Sequence, residues 1–435
     1  MDSKALSKIQ AIGIAVIIVI ASVSGGLAYI LLNDGVQADE TIKIGVCTDL
    51  DALYGQVFWQ EVVLAVEQVN ADGGVLGRKF EIFGADDDSM NAMPDTTTAT
   101  NALTRLIAVD KVDFLLTSGT LSSIYQEIVS QHKIIMLDGF NGADELTQKV
   151  LDDYDKYKYY FRIGLPNSTS SNAGVLDSIM TLRGYTGFSK IGYVCHDTLG
   201  AADRVARYTD TWSEKGFDVV YTATVPLDAF EFSSYFARAE AAGAEILYCS
   251  IAGPAGVPFV KEYSDRQSPM ILSGLISMVS DSNFWNVTDG KCEFVSSNTY
   301  PTVVGYPLTS KTASFREAYI ERWGEDSLLG FGPSYDAVRY ILPDAIRRAG
   351  TTETEAVIKA LETVDVETSL ARHFVFTSSH DIMIGEAGPN KPSEDYFLIC
   401  VFQWQNGELV PIYPKEIMEE AGATYMFPPW PGPWD

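Results

Sequence analysis

Hydrophobic and polar positions along residues 41–84 predict a strand, a helix and a second strand. Residues 42–46 alternate and are rich in β-branched side chains, which is typical of a strand. After a polar loop at 48–54, apolar residues recur at three- and four-residue steps up to Val69, which predicts a helix with one buried stripe. Gly73 and Gly74 end this helix, and residues 78–83 form the next strand. Because this crossover makes the strands parallel, the loop at 48–54 is expected at the ligand-binding edge of a sheet.

The alternation of strands and helices continues along the chain and restarts after Asn167. Two successive α/β sets of similar size predict two similar lobes, each a parallel-rich sheet flanked by helices. Later helices are expected at 311–323, 334–349 and 353–363, and short strands at 373–377, 396–404 and 409–413. The proline-rich tail is expected to pack as an extended strap or to contact a partner, with the strap favoured.

Length, charge and missing motifs narrow the function classes. A chain of 435 residues exceeds one hydrophobic core, so two domains are expected. The formal net charge of -27 argues against nucleic acid as a partner, because phosphates require a basic face. The sequence has neither a G-x-S-x-G nucleophile motif nor a G-x-x-x-x-G-K phosphate loop. We therefore predict no enzymatic activity and no cofactor.

The cysteines lie far apart and form no C-x-x-C pair. Most of them fall inside apolar, strand-like runs, so buried thiols are expected. Whether one pair forms a disulfide is left open by the sequence. The five positions are Cys47, Cys195, Cys249, Cys292 and Cys400.

The N-terminal sequence predicts a membrane segment. Residues 11–32 carry no charge, which suits a bilayer span of about 20 residues. We divide this region into a cytoplasmic stretch at 1–8, a transmembrane anchor or signal segment at 9–32 and a linker at 33–40. A retained anchor is favoured over cleavage after Ser24, which would release a secreted protein. Lysines before the span and acidic residues after it place the rest of the chain on the extracellular face.

A turn rich in hydroxyl groups is the first candidate for ligand binding. Ser118, Gly119 and Thr120 lie between a predicted strand and a predicted helix. Hydroxyls and unpaired helix-start N–H groups can form a socket for a carboxylate, a phosphate or an amide oxygen. Simple capping of the helix is the alternative, although one hydroxyl would suffice for it.

A second turn follows the next predicted strand at the same sheet edge. This turn consists of Asp138, Gly139, Phe140 and Asn141. Its glycine lets a ligand approach the backbone closely, and Asp138 and Asn141 offer polar side chains. A plain turn without function is the alternative. Tyr54, in the loop after the first strand, is also expected to face a ligand.

Two further motifs have ordinary explanations. Asp86, Asp87 and Asp88 are consecutive, so their side chains diverge, and a solvated turn is expected rather than a metal site. The sequons at Asn167 and Asn286 are glycosylation candidates in an extracellular chain.

With these pieces in order, the chain resembles the type I periplasmic binding proteins of ABC transporters. Within that family it most resembles the branch that binds leucine, isoleucine and valine or amides and urea. The resemblance covers residues 41 to 414 and rests on several stretches in family order. They include IKIGV, AVEQVNADGGVLGRKFEI, TSGTLSS, IIMLDGFNGADELT, YFRIGLP, KIGYVCHDT, GPSYDAVRYILPDAI and FQWQNGELV.

The resemblance implies a two-lobe α/β fold with three chain crossings. Crossings are expected near 165–167, 299–302 and 377–381. Lobe 1 is expected to comprise 41–166 with 301–378, and lobe 2 to comprise 167–300 with 379–414. Residues 415–435 are the proline- and aromatic-rich tail.

The resemblance also implies where a ligand is held. Family members hold its carboxylate or amide head on the first lobe, at positions that match Tyr54 and the two turns. On the second lobe, His196 is expected at the end of a strand near the ligand. Amino-acid binders of the family close over the ligand with two tyrosines, which match Ala201 and Ala252 here. Their glutamate for the ammonium group matches Ile276. Because isoleucine cannot pair with an ammonium group, a standard branched-chain amino acid is disfavoured. An apolar or aromatic acid, an amide, or a ligand whose cation meets Asp138 or Asp51 is expected.

The expected function is that of an extracellular solute-binding protein of an ABC importer. It would bind a small ligand between its lobes by hinge closure and deliver it to the permease subunits. The alternative is a sensor ectodomain of the same fold. A secreted enzyme ranks last.

Overall fold

The computed structural model describes residues 41–90, 94–197, 201–276, 278–281, 283–299, 306–324, 332–384, 396–397 and 400–434. The predicted segments at 1–8, 9–32 and 33–40 lie outside these residues. Within the described part, no helix combines the length and the apolar character that a bilayer span requires. The chain forms two compact units.

The first unit contains the described residues up to Leu165 together with Pro333–Val366 and Val375–Ile382. Its parallel sheet has the order β2-β1-β3-β4-β5. The strands are β1 (Ile42–Thr48), β2 (Phe80–Asp86), β3 (Phe114–Thr117), β4 (Ile135–Asp138) and β5 (Tyr160–Arg162). Helices α1 (Leu53–Ala71), α2 (Thr96–Arg105), α3 (Ser122–His132), α4 (Asp144–Asp152) and α5 (Tyr154–Tyr157) connect them. The predicted α/β architecture is therefore confirmed for this unit.

Strand register brings the polar turns of this unit to one edge. Cys47 pairs with Thr117, Thr117 with Asp138, and Asp138 with Arg162, all in parallel ladders. The carboxyl ends of β1, β3, β4 and β5 are therefore level with each other. Loops that follow these strands meet at the edge where parallel sheets bind ligands.

The second unit contains Pro166–Gly332, Glu367–Phe374 and the described residues after Met383. A parallel sheet has the order β7-β6-β8-β9, and an antiparallel sheet has the order β10-β11-β12. The strands are β6 (Lys190–His196), β7 (Asp218–Val225), β8 (Ile246–Ile251), β9 (Ile271–Ile276), β10 (Ser296–Thr299), β11 (Cys400–Gln405) and β12 (Glu408–Tyr413). The helices are α6 (Ser168–Thr186), α7 (Ala201–Glu214), α8 (Ser233–Ala241), α9 (Gly256–Asp265), α10 (Phe284–Val287) and α11 (Ser310–Trp323).

The remaining helices complete both units. In the first unit, α12 (Pro333–Asp336) continues through a π-helical turn at Ala337–Ile341 into α13 (Leu342–Ala349), and α14 (Thr354–Leu361) follows. Ser334 on α12 donates to the buried carboxylate of Glu61 on α1 at 2.5 Å, which ties this late segment to the first helix. The second unit ends with α15 (Lys415–Glu420).

The unit boundaries differ from the predicted ones between 301 and 382. The chain passes between the units after Leu165, Gly332, Val366, Phe374 and Ile382, so Glu367–Phe374 belongs to the second unit. The predicted boundaries placed α11 in lobe 1, whereas it packs within the second unit. The reason lies in the residues before this helix, because Leu308 forms a buried cluster with Phe402 of β11 and Ile417 of α15. The predicted strand at 373–377 is reduced to an isolated bridge between Phe376 and Ile382.

The C-terminal tail packs as an extended strap within the second unit. The side-chain amide of Gln403 on β11 donates to the carbonyl of Met426 at 2.9 Å and accepts from its N–H at 3.0 Å. The Trp430 indole donates to the carbonyl of Ser268 at 2.8 Å. These contacts pair backbone groups of a segment that proline excludes from helix and sheet.

Candidate functional site

The turn after β3 has the geometry that only glycine allows at its centre. Gly119 lies at φ +141, and a Cβ there would stand 2.1 Å from the Ser89 hydroxyl oxygen. Ser118 is buried and its hydroxyl lies 2.7 Å from that of Thr48. Thr120 is exposed, and its hydroxyl donates to the carbonyl of Ser89 at 2.7 Å. The hydroxyls of Ser118 and Thr120, which were predicted to bind a ligand, are thus both hydrogen-bonded to residues of the same unit.

The capping alternative for this turn lacks support. Helix α3 begins after Leu121, and no side chain makes a capping hydrogen bond to its first turn. Its first turn also carries no acidic residue. A carboxylate from α4 nevertheless lies beside this turn, because the Ser123 hydroxyl donates to Glu145 at 2.9 Å.

Asp138, which ends β4, is fully buried. Its carboxylate accepts from the Tyr160 hydroxyl at 3.0 Å and from the Thr117 hydroxyl at 3.4 Å. Burial raises the pKa of Asp138 to about 6, while the nearby Arg162 guanidinium acts in the opposite direction. This carboxylate is therefore bonded inside the sheet, and its contact with a ligand cation stays a prediction. Asp51 is exposed.

An aromatic pair lies beside the turn after β4. The rings of Tyr54 and Phe140 are half-buried, and their centroids are 5.3 Å apart. Gly139 permits this arrangement, because a Cβ there would stand 2.5 Å from the ring of Phe58. The two rings offer an apolar surface next to the polar turn at Gly119.

Asn141 connects the two turns. Its side-chain nitrogen lies 3.3 Å from the carbonyl oxygen of Gly119 and 3.4 Å from that of Thr120, and donates to both. Its side-chain oxygen accepts from the N–H of Ala143 at 3.0 Å. The structure therefore brings the predicted first-lobe residues together at one edge of the sheet.

The acidic run after β2 is not a solvated turn, contrary to the sequence-based expectation. Asp87 is fully buried and accepts from the Tyr125 hydroxyl at 2.7 Å and from the N–H of Ser89 at 3.1 Å. Burial raises its pKa. Asp86 accepts from the N–H of Leu50 at 3.0 Å. No group of three potential metal ligands was found among the described residues.

Sequence reasoning also missed how Asp49 shapes the loop after β1. Its buried carboxylate accepts from the N–H groups of Asp51, Ala52 and Met90 at 3.1, 2.9 and 3.1 Å. The position of Asp49 directly after a buried strand was the available signal. Buried backbone N–H groups of the following loop need acceptors, and a carboxylate there can supply them.

The second-unit candidates lie at the carboxyl ends of β6, β8 and β9. Ile251 pairs with Ile276, and Cys195 with Ser250, so His196 is level with both isoleucines. The Nδ1 atom of His196 accepts from the N–H of Ala252 at 3.1 Å. Ala201 is buried at the start of α7, whereas Ala252 is exposed.

The structure also shows the state of the cysteines and of the two sequons. All five thiols are free and buried, which answers the open disulfide question. Asn167 caps α6 by accepting from the N–H of Ser170 at 2.7 Å. Asn286 is exposed on α10, and the Thr288 hydroxyl is bonded to the carbonyl of Phe284.

Comparison with known proteins identifies the family. A sequence model described as periplasmic binding protein matches residues 41–386. The chain is 24% identical over 406 residues to Leu/Ile/Val-binding protein homolog 7 of Brucella suis biovar 1 (strain 1330), covering 88% of this chain and 94% of that protein. It is 22% identical over 384 residues to homolog 8 of Brucella melitensis biotype 1, covering 84% and 87%.

Solved structures show the same fold. One, from Silicibacter pomeroyi and assigned to a branched-chain amino acid ABC transporter, superposes with a TM-score of 0.77 at 20% identity, covering 90% of this chain and all of that chain. Another, an ABC transporter solute-binding protein from R. palustris in complex with 4-hydroxybenzoate, gives a TM-score of 0.63 at 18% identity, covering 85% and 95%. The extent of the family match settles membership: the chain belongs to the periplasmic binding protein family, whose members bind solutes for ABC transporters and are not enzymes.

Proposed function

We propose that this protein is the solute-binding component of an ABC importer and that its solute is a small carboxylate or amide. The observation that carries the proposal is the surface formed by Thr120, Asn141 and the Tyr54–Phe140 ring pair at the carboxyl edge of the first sheet. Hinge closure, as the family resemblance implies, would retain the solute until the permease subunits receive it.

The polar part of this surface suits an anionic head group. The first turn of α3 has no side-chain cap and no acidic residue. Helix-start N–H groups and the helix dipole stabilise a carboxylate by about 0.3–1 kcal/mol at an exposed position. Thr120 and Asn141 are already oriented by bonds to backbone carbonyls, which limits the entropy lost on binding.

The apolar part favours a ligand without an ammonium group. Asp138 is fully buried, and the family resemblance matches Ile276 to the position where amino-acid binders have a glutamate. An ammonium group without an acceptor would lose its hydration and gain no partner. The ring pair instead offers stacking to an aromatic or branched apolar body. An aromatic or apolar acid is therefore preferred over an amino acid.

Like other members of the family, this protein is expected to act outside the cytoplasm. We further propose that residues 9–32 anchor the protein to the extracellular face of the membrane. Protease treatment of intact cells, followed by membrane fractionation, tests this. We expect a membrane-bound, protease-accessible protein with residues 9–32 intact. A soluble protein whose N-terminus starts after Ser24 would show that the segment is a cleaved signal peptide.

A titration with matched ligands tests the binding proposal. The full-length protein is titrated by calorimetry with benzoate, 4-hydroxybenzoate, leucine and 4-methylpentanoate, which is leucine without its ammonium group. We expect 4-methylpentanoate to bind more tightly than leucine and one of the aromatic acids to bind measurably. Binding by none of these four would contradict the proposed ligand class.

Variants locate the site. Thr120→Ala combined with Asn141→Ala is expected to abolish binding. The protein is expected to stay folded, because the bonds lost lie within the two turns and not in the apolar core. Thr96→Ala, at an exposed position on α2, is the matched control and is expected to bind as the wild type does. Unchanged affinity in the double variant would remove this turn from the site.

A further inference from the structure

The imidazole of His196 is held in one tautomer by its neighbour. His196 ends β6 and is only 2% exposed. Its Nδ1 atom lies 3.1 Å from the backbone nitrogen of Ala252. A backbone N–H can only donate, so Nδ1 is the acceptor and carries no proton. Burial lowers the pKa of His196, which keeps the ring neutral and places its one proton on Nε2.

The Nε2–H group has no acceptor among the described residues. The atom is buried, and no hydrogen-bond partner lies within reach of it in that part of the chain. A buried donor that bonds neither to protein nor to water is costly, and such groups are rare in folded proteins. An acceptor from outside the described chain would relieve this cost.

The strand ends beside His196 are apolar. Ile251 and Ile276 occupy the matching register positions on β8 and β9, and both are buried. Neither side chain can accept a hydrogen bond. The histidine is therefore the polar group that these strand ends offer to a molecule that binds there.

We propose that Nε2 of His196 donates a hydrogen bond to an oxygen of the bound solute. The protein would thus select solutes with an oxygen acceptor, and it would reject an ammonium group at this position. An ammonium group has only donors, so it cannot accept the hydrogen bond that Nε2 offers, and its charge would meet the apolar side chains of Ile251 and Ile276. This inference rests on the proposed function and adds the group that recognises the ligand on the second unit.

Two substitutions separate binding from folding. His196→Asn keeps an acceptor where Nδ1 stands, so the bond from Ala252 remains while the Nε2 donor is lost. His196→Gln places an amide donor near the Nε2 position and removes the acceptor for Ala252. We expect the Asn variant to melt as the wild type does and to bind the best ligand of the benzoate, 4-hydroxybenzoate and 4-methylpentanoate set about tenfold more weakly. The Gln variant is expected to melt earlier but to keep most of the affinity.

Other results would overturn the proposal. Equal affinity in the wild type and the Asn variant would show that His196 does not contact the solute. A Gln variant that binds as weakly as the Asn variant would assign the histidine a structural role only. Absence of binding by the wild type would contradict the proposed function itself.

Nitrogen-15 NMR checks the tautomer without any ligand. The chain has four histidines, so the resonance is assigned by its loss in the Asn variant. We expect a proton on Nε2 in the free protein and a shift of this nitrogen when the ligand binds. A proton on Nδ1 in the free protein would overturn the inference even if the protein binds solutes.

Discussion

The Thr120 hydroxyl donates a 2.7 Å hydrogen bond to the backbone carbonyl of Ser89, whose N–H in turn is bound by the buried carboxylate of Asp87. The exposed turn after β3 is thus held by the segment that follows β2. Ser89 also donates from its hydroxyl to the carbonyl of Ser118. The conformation of the candidate binding turn therefore depends on a fully buried carboxylate.

Removing that carboxylate is expected to weaken both the fold and binding. Asp87→Ala leaves the Tyr125 hydroxyl and the N–H of Ser89 without an acceptor in a buried site. We expect the free energy of unfolding to fall by about 3 kcal/mol and the affinity for the solute to fall as well. Urea unfolding and calorimetric titration measure the two effects.

Tyr125→Phe is the control for this prediction. It removes one of the hydrogen bonds to Asp87 and leaves the bond to Ser89 in place. A loss of about 1 kcal/mol in stability and unchanged affinity are expected. Equal binding by the Asp87→Ala variant would show that the turn holds its shape without this support.

A buried ion pair joins two distant segments of the first unit. The side chain of Arg162 is fully buried, with Nε 2.9 Å from a carboxylate oxygen of Asp381, and it donates from Nη2 to the carbonyl of Ala143 at 2.8 Å. Arg162→Met removes the cation that pairs with the buried Asp381 carboxylate, so a loss of about 3–5 kcal/mol in unfolding free energy is expected. Chemical denaturation measures it.

The exposed pair Lys415–Glu419 provides the contrast. These side chains are 67% and 63% exposed and lie 3.3 Å apart. Lys415→Ala is expected to cost less than about 0.5 kcal/mol, because solvent screens such pairs. A cost below about 1 kcal/mol for Arg162→Met would mean that the buried pair is not stabilising as described.

The raised pKa of Asp138 predicts a slope of stability with pH. Burial raises the pKa of Asp138 from its ordinary value of 3.8 in the unfolded chain to about 6 in the fold. The folded state therefore holds this proton more tightly, so the contribution of Asp138 to stability is fully present below pH 3.8 and is lost as the pH rises through about 6. The loss is on the order of 3 kcal/mol.

Asp138→Asn isolates this slope. The difference in unfolding free energy between wild type and variant is expected to change in favour of the variant as the pH rises from about 4 to about 6. Thermal and urea unfolding across this range measure it. A difference that is constant with pH would show that the Asp138 carboxyl ionises in the fold as easily as in water.

The C-terminal strap is expected to stabilise the second unit. Gln403→Ala removes both hydrogen bonds to Met426 and one to the carbonyl of Phe294. A loss of about 2 kcal/mol and faster proteolysis after residue 424 are expected. Gln148→Ala, at an exposed position on α4, is the control and should change stability by less than about 0.5 kcal/mol. Equal proteolysis of the wild type and the Gln403→Ala variant would contradict the role of the strap.

Local periodicity predicted the strands and helices that position the site. The strand expected at 42–46 is β1, and the turns at 118–120 and 138–141 follow β3 and β4 as expected. These predictions succeed because alternating apolar residues mark a strand and glycines mark a turn, and both signals are local in the sequence. The role of Asp87 could not be predicted, since its partner Tyr125 lies 38 positions away and only the fold brings them together. The assignment of α11 failed for the same reason, because Leu308 just before it packs against Phe402, which lies far along the chain.

Mass spectrometry of small molecules carried through native purification tests the central claim most directly. The full-length protein is purified without denaturant from the cells that produce it, and the bound molecules are released and identified. We predict one small carboxylate or amide at about equal molar amount, absent from the Thr120→Ala, Asn141→Ala variant prepared in parallel. Recovery of no small molecule, together with no change in melting temperature on adding the four titration ligands, would contradict a solute-binding role for this site.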